Sequence, residues 1–187
     1  STSKNAERKY PNTWEIIEVD NRHKVGINTA SANKLVLEAI YNNVIRFLQG
    51  YSTVRKEVPY GAQNSRIDIL LEDMVNNQCR RCFVEVKNVS LGIGDGMGLF
   101  PDAVTKRGQK HMQELIEIAS VGDRAVLLFC VQHEGIDQVY PADDIDPEYG
   151  RLLRQAEEAG VEIQAYGTEF DIDTSTLRIN QELSVII

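Results

Sequence analysis

The chain has 187 residues, the size of one ordinary domain, and 42% of them are hydrophobic, enough for a real core but without the run of about 18 apolar residues that spans a bilayer. Its net charge of −8 is not spread evenly: from Asp143 to the end there are 3 basic and 11 acidic residues, and residues 1–142 are neutral. That balance excludes a uniformly basic nucleic-acid coat and leaves room for local basic clusters that meet DNA.

The opening lacks Met and the features of a secretory leader, so the chain is read as starting partway into a longer protein. "TWEIIEVDNRHKVGINT" predicts two strands around a turn at Asp20-Asn21. "SANKLVLEAIYNNVIRFLQG" predicts a helix capped by Ser31 and stopped by Gly50, with Leu37, Ile40, Tyr41, Val44 and Leu48 as its apolar stripe. "STVRKEVPY", "SRIDILLED" and "CRRCFVEVKNVSL" follow as three strands, and "LGIGDGMGLF" as a mobile, glycine-dense loop. "DAVTKRGQKHMQELIEIAS" predicts a second helix with Asp102 near its start. "RAVLLFCVQ" is apolar enough for a central strand buried on both faces. "DPEYGRLLRQAEEAG" predicts a third helix, with Pro147 in the first turn and Gly160 just past the end. "VEIQAYGTEF" is the last core strand, and "STLRINQELSVII" adds an edge strand at most. The order β-β-α-β-β-β-α-β-α-β predicts an α/β fold, a mixed β-sheet flanked by helices.

Within that order, "FVEVK" sets Glu85 and Lys87 at alternate positions, hence on one face of a strand. An edge strand with a surface ion pair explains this; so does an active site. Asp68 lies in the preceding strand, and a hairpin brings it to Glu85. Two facing carboxylates suit a hard cation such as Mg²⁺ (or Mn²⁺), and Lys87 supplies a cation for a phosphate or an activated water. The next helix carries Lys106, Arg107 and Lys110, basic residues in a first turn that opposes them, which favours phosphate contact over a plain solvated face. Gln109 is a candidate contact to DNA backbone or base.

Other signals are weaker. The glycine spacing of "LGIGDGMGLF" fits neither a dinucleotide fingerprint nor a P-loop. The single C-x-x-C of Cys79 and Cys82 lacks two further zinc ligands and enters a strand, which suits neither zinc nor redox chemistry. Three cysteines cannot all pair, which predicts a reducing cytoplasm.

The "D…ExK" pattern across two strands, between helices, resembles the PD-(D/E)xK nuclease superfamily. More closely, "RKYPNTWE", "INTASANKL", "YGAQNSRIDILL", "FVEVKNVSL", "LFPDAVTKRGQKHMQEL", "RAVLLFCVQ", "IDP" and "GVEIQAY" resemble the sugar fermentation stimulation protein family nearly end to end. The resemblance implies a nuclease-like α/β domain over residues 30–187 that binds DNA without sequence preference and is linked to the control of maltose use. It implies that residues 1–29 are a hairpin joining a further N-terminal portion of the oligonucleotide-binding type. It matches Asp68 and Glu85 to metal ligands, Lys87 to the catalytic lysine, the Val86 carbonyl to a backbone ligand, and Glu38 to an acid that some members add from the first helix. It leaves open whether DNA is cut.

Overall fold

The computed structural model describes residues 1–2, 5, 7, 9–60 and 65–187. Residues 61–64 of the "YGAQNSRIDILL" stretch therefore lie outside the described residues. Strands β1 (Ile16–Val19) and β2 (His23–Gly26) form the expected hairpin, with Asp20 and Asn21 both at positive φ in its turn. Asp and Asn tolerate that conformation better than most residues, which is why the pair punctuates the chain there. The hairpin docks on the main body, where the Gly26 amide donates to the Gln132 carbonyl at 2.8 Å.

Helix α1 (Ala32–Tyr41) buries Ala32, Leu35, Val36, Ala39 and Ile40, an i, i+3, i+4, i+7, i+8 stripe. This corrects the expected stripe, since Tyr41 is 62% exposed and Leu37 only half-buried. The helix also stops earlier than Gly50. Asn43 turns into the left-handed region, and the Val44 amide closes back onto the Ala39 carbonyl at 2.9 Å. Val44, Ile45 and Leu48 thus belong to a following turn with its own 3₁₀ segment at Arg46–Leu48.

Next come β3 (Thr53–Tyr60), β4 (Ser65–Val75) and β5 (Gln78–Val89), paired antiparallel in that order. The glycine-dense stretch forms a hairpin, β6 (Leu91–Gly92) and β7 (Gly96–Phe100), where a mobile loop was expected. Its turn places Gly94, Asp95 and Gly96 all at positive φ, which accounts for two of the glycines. Helix α2 (Lys106–Ser120) starts at Thr105, whose hydroxyl accepts from the Gly108 amide at 3.0 Å; Asp102 does not cap it. After it come β8 (Arg124–Val131), β9 (Ile136–Pro141), α3 (Pro147–Glu158), β10 (Glu162–Asp171) and β11 (Thr176–Val185). Asp146 caps α3, accepting from the Tyr149 amide, and Gly160 follows at φ 90°.

The nine-stranded sheet runs β3-β4-β5-β8-β10-β11-β9-β7-β6. β8 is central as its apolar run requires, parallel to both β5 and β10. β11 is not an edge: it lies between β10 and β9. The observed order thus adds β6, β7, β9 and β11 to the expected one. Helix α1 covers one face of the sheet through Ile69, Leu71, Cys82, Val84, Val86, Val126 and Leu128. Helices α2 and α3 cover the other through Leu70, Phe83, Leu127, Phe129 and Tyr149. No helix among the described residues is long and apolar enough to cross a membrane.

Candidate functional site

β5 alternates as its sequence demands. Cys82, Val84 and Val86 face α1, while Phe83 and Val89 face α2 and α3. Glu85 and Lys87 therefore point toward α2. With β4 on one side of β5 and β8 on the other, this is an interior strand, so the edge-strand reading fails. Glu85 is 2% exposed, and Lys87 Nζ donates to its Oε1 at 2.7 Å.

The antiparallel ladder between β4 and β5 ends at Ile69 opposite Val84. Asp68, one residue further, uses its side chain in place of the ladder. Its Oδ2 accepts from the Val86 amide at 2.8 Å, and its Oδ1 accepts from Asn33 Nδ2 at 2.7 Å. The other edge of β4 is interrupted at the same level. The β3 register passes from Lys56–Ile69 to Val58–Ile67, leaving Glu57, at φ 51°, beside Asp68 without a ladder partner. Arg66 Nη1 donates to the Glu57 carbonyl at 2.9 Å and holds this irregularity. The sheet opens here, and a cleft of about 400 Å³ between α1 and β3–β4 ends on Asp68.

The electrostatics follow from burial and proximity. Burial first, then the charge of Glu85, raises the Asp68 carboxyl above its ordinary value; the Val86 amide, Asn33 and Lys87 offset only part of that. Burial also pushes Glu85 upward, but the His111 hydrogen bond and the Lys87 charge outweigh it and hold Glu85 below the usual glutamate range. Burial and the charges of Glu85 and Glu114 push the nearby Tyr60 phenol upward.

Two residues were not expected beside Glu85: Glu114, and His111, which the sequence offers only as a fourth basic residue of α2 with Lys106, Arg107 and Lys110. His111 of α2 is 4% exposed and brings its Nδ1 against Glu85 Oε1 and within 3.3 Å of Lys87 Nζ. Glu114, one turn on, is 1% exposed, and neither of its oxygens has a hydrogen-bond partner among the described residues. The signal was present: both lie among Gly108, Met112, Leu115 and Ile118 on the buried side of α2, and a polar residue on an apolar stripe needs a reason.

The other candidates scatter. Glu38 is exposed and sits beside Asn42 and Arg178, so it does not join the acids. Five residues separate it from Asn33, about 140° around the helix, and Asn33 is the α1 residue that reaches the site. Gln109 is buried. Its Nε2 donates to Asp146 Oδ1 at 2.7 Å, which ties α2 to the cap of α3 and removes it from reach of a phosphate. Lys106 and Arg107 are exposed, and Lys110 is half-buried. Val86 presents its amide to Asp68.

Hard oxygen donors suit Mg²⁺, Mn²⁺ or Ca²⁺, and Glu85 Oε2 is buried without a partner among the described residues. No group of three His, Cys, Asp or Glu side chains among the described residues converges into a ready-made cage. Asp68 and Glu85 supply two carboxylates at most, the number that Mg²⁺ takes when water and phosphate oxygens complete its shell.

Fold and site together define a mixed α/β protein in which a large helix-flanked sheet opens over a buried carboxylate–lysine cluster. The chain belongs to the sugar fermentation stimulation protein family: the family model described as "Sugar fermentation stimulation protein RE domain" matches residues 30–174. A sugar fermentation stimulation protein homolog of Shewanella woodyi is 52% identical over 179 residues, covering 95% of this chain and 74% of that protein. A homolog of Pseudoalteromonas atlantica is 47% identical over 187 residues, covering 100% of this chain and 77% of that one. Among solved structures, Pyrococcus furiosus SfsA in complex with Ca²⁺ superposes with a TM-score of 0.85 at 29% identity, covering 99% of this chain and 76% of that chain.

Proposed function

We propose that this chain is a PD-(D/E)xK nuclease-like, sequence-nonspecific DNA-binding protein that holds a divalent cation at Asp68 and Glu85, hydrolyses phosphodiesters there, and serves the regulation of sugar use, maltose included. The observation that carries this reading is the pair of acids at the opening of the sheet, one with a buried, unpartnered oxygen, with a lysine ammonium 2.7 Å from the other oxygen. That a relative is solved in complex with Ca²⁺ supports a divalent ion as the ligand.

Bound there, a divalent cation supplies Lewis acidity and lowers the pKa of its water. Asp68 is held for that task by Asn33 and the Val86 amide, which fix both of its oxygens. Lys87, 14% exposed at its side chain, donates to Glu85 and offsets negative charge that develops on a phosphate. His111 of α2 engages the same Oε1 as Lys87 and so helps to orient Glu85. Lys106, Arg107 and Lys110 extend the positive surface along α2 for the DNA backbone.

A second reading has its own support. Lys87 and His111 both engage Glu85 Oε1 already, an arrangement that also suits a catalytically silent module that holds DNA and influences transcription. The test is incubation with plasmid and single-stranded DNA in Mg²⁺, Mn²⁺ or EDTA. The enzyme reading expects metal-dependent nicking that falls by about 10²-fold or more in Lys87→Ala. Binding without nicking in any metal selects the silent module.

A further inference from the structure

We propose that the cleft between α1 and β3–β4 admits one unpaired nucleotide, with Lys34 and Lys56 gripping its phosphate from different walls, so that single strands and frayed ends are preferred over intact duplex. This rests on the proposed DNA-binding function and names the form of DNA that the site takes.

The cleft ends on Asp68, is about 400 Å³, and is lined by Asn33, Lys34 and Leu37 of α1 and by Lys56 and Glu57 of β3. That volume is near the lower end of the range for small-molecule sites, suited to one nucleotide and far too small for a duplex. Glu85, at 2% exposure, lies beneath the surface. A phosphate that reaches Asp68 from the α1 side comes down this cleft, which Asp68 lines and Glu85 and Lys87 do not. A phosphate in a stacked duplex is fixed on a stiff rod and cannot follow that path. An unpaired nucleotide can, which is why enzymes that act below their own surface use single strands or extrude the target.

Lys34 and Lys56 are both exposed, and neither makes an ion pair within 4 Å among the described residues. Arg55, Arg80, Arg81, Arg124, Arg151, Arg154 and Arg178 are paired with carboxylates, whereas among the described residues Lys34 and Lys56, like Lys106 and Arg107 on α2, are not. Two unpaired ammonium groups at the mouth of an acid-floored cleft are placed for an anion. Leu37 and Ile69 give the cleft an apolar surface that accepts any base without reading it. Glu57 is the one exposed acid in the lining and opposes a phosphate.

The experiment is fluorescence anisotropy of the whole chain, in EDTA, with a labelled single strand and with its annealed duplex, across a salt series. Wild type is expected to bind the single strand more tightly. Lys34→Ala/Lys56→Ala is expected to weaken single-strand binding by about tenfold or more at low salt and to flatten the log–log salt slope by about 0.7, the share of the one phosphate they hold. Glu57→Gln is expected to tighten it. A double variant with wild-type affinity and slope, or a wild type that prefers the duplex, overturns this inference and leaves the proposed function standing. A wild type that binds neither DNA overturns both.

Discussion

Removing either member of the Glu85–Lys87 pair is expected to cost at least as much stability as removing both, so the two substitutions are strongly non-additive. Glu85 is 2% and Lys87 14% exposed at the side chain, so solvent screens neither well. Glu85→Leu leaves the Lys87 ammonium buried without its carboxylate and takes the acceptor from His111. Truncating one partner of such a pair costs about 3–5 kcal/mol. Lys87→Met strands the Glu85 carboxylate, but His111 still donates to it, so the loss falls near the lower limit, about 3 kcal/mol. In the double variant no buried charge is stranded. The residual cost is the unsatisfied His111 ring nitrogen, about 1–3 kcal/mol. The coupling between the two sites is then at least about 3 kcal/mol, set by those same costs. For a domain of this size each single variant melts lower by roughly 6–12 °C or more, at about 2–4 °C per kcal/mol. Urea unfolding of the four proteins followed by circular dichroism, with equal m-values required, measures the cycle. Additivity within about 0.5 kcal/mol would mean that the charges do not act as a buried pair, and the electrostatic account of the site would fall.

Gln109→Ala is expected to destabilise the fold by about 1–3 kcal/mol, since it removes a buried donor to the α3 cap, and to leave the salt slope of DNA binding unchanged; a shallower slope would return Gln109 to the DNA surface. Thr105→Ala should cost about 1 kcal/mol by loss of the α2 cap, read as a shifted urea midpoint. Asp68 has a carboxyl raised above 3.8, so its stabilising contribution is present below the ordinary aspartate value and is lost as pH rises through the raised one. Asp68→Asn carries a pH-independent cost, because its Nδ2 meets the Val86 amide or Asn33 donor; beyond that, the stability of metal-free wild type relative to the variant should rise as pH falls from about 7 toward about 4. Melting temperatures in EDTA across that range decide it, and a difference that stays flat or shrinks on acidification would contradict the sign.

The parts of this fold that were legible are those set by local chemistry. Asp20-Asn21 marks a turn because both residues accept positive φ, and Asp146-Pro147 with Gly160 brackets α3 because cap, first turn and stop each have a distinct residue preference. The apolar run of β8 needed only its composition to be read as central. Where the reading failed, tertiary register decided the outcome. Nothing in "STLRINQELSVII" says that β11 slots between β10 and β9. The α1 stripe was misphased because Val44 and Leu48 continue an apolar pattern past the point where Asn43 ends the helix, which drew Leu37 and Tyr41 into line with them. Glu38 came from the resemblance alone, and the α1 residue that reaches Asp68 is Asn33. The alternation in "FVEVK" correctly put Glu85 and Lys87 on one face, but only the packing of α2 adds His111 and Glu114 to it.

The central claim is that Asp68 and Glu85 together hold a divalent cation, and calorimetric titration of Mg²⁺ and Ca²⁺ into the metal-free chain, beside Asp68→Asn and without DNA, tests it most directly. One cation per chain is expected for the wild type, weakening as pH falls toward the raised Asp68 value because protons compete for the same oxygens. In Asp68→Asn that binding should be lost or weakened by about tenfold or more, since one of two charged ligands is gone. Binding of equal strength in the variant, or none in the wild type, would contradict the account.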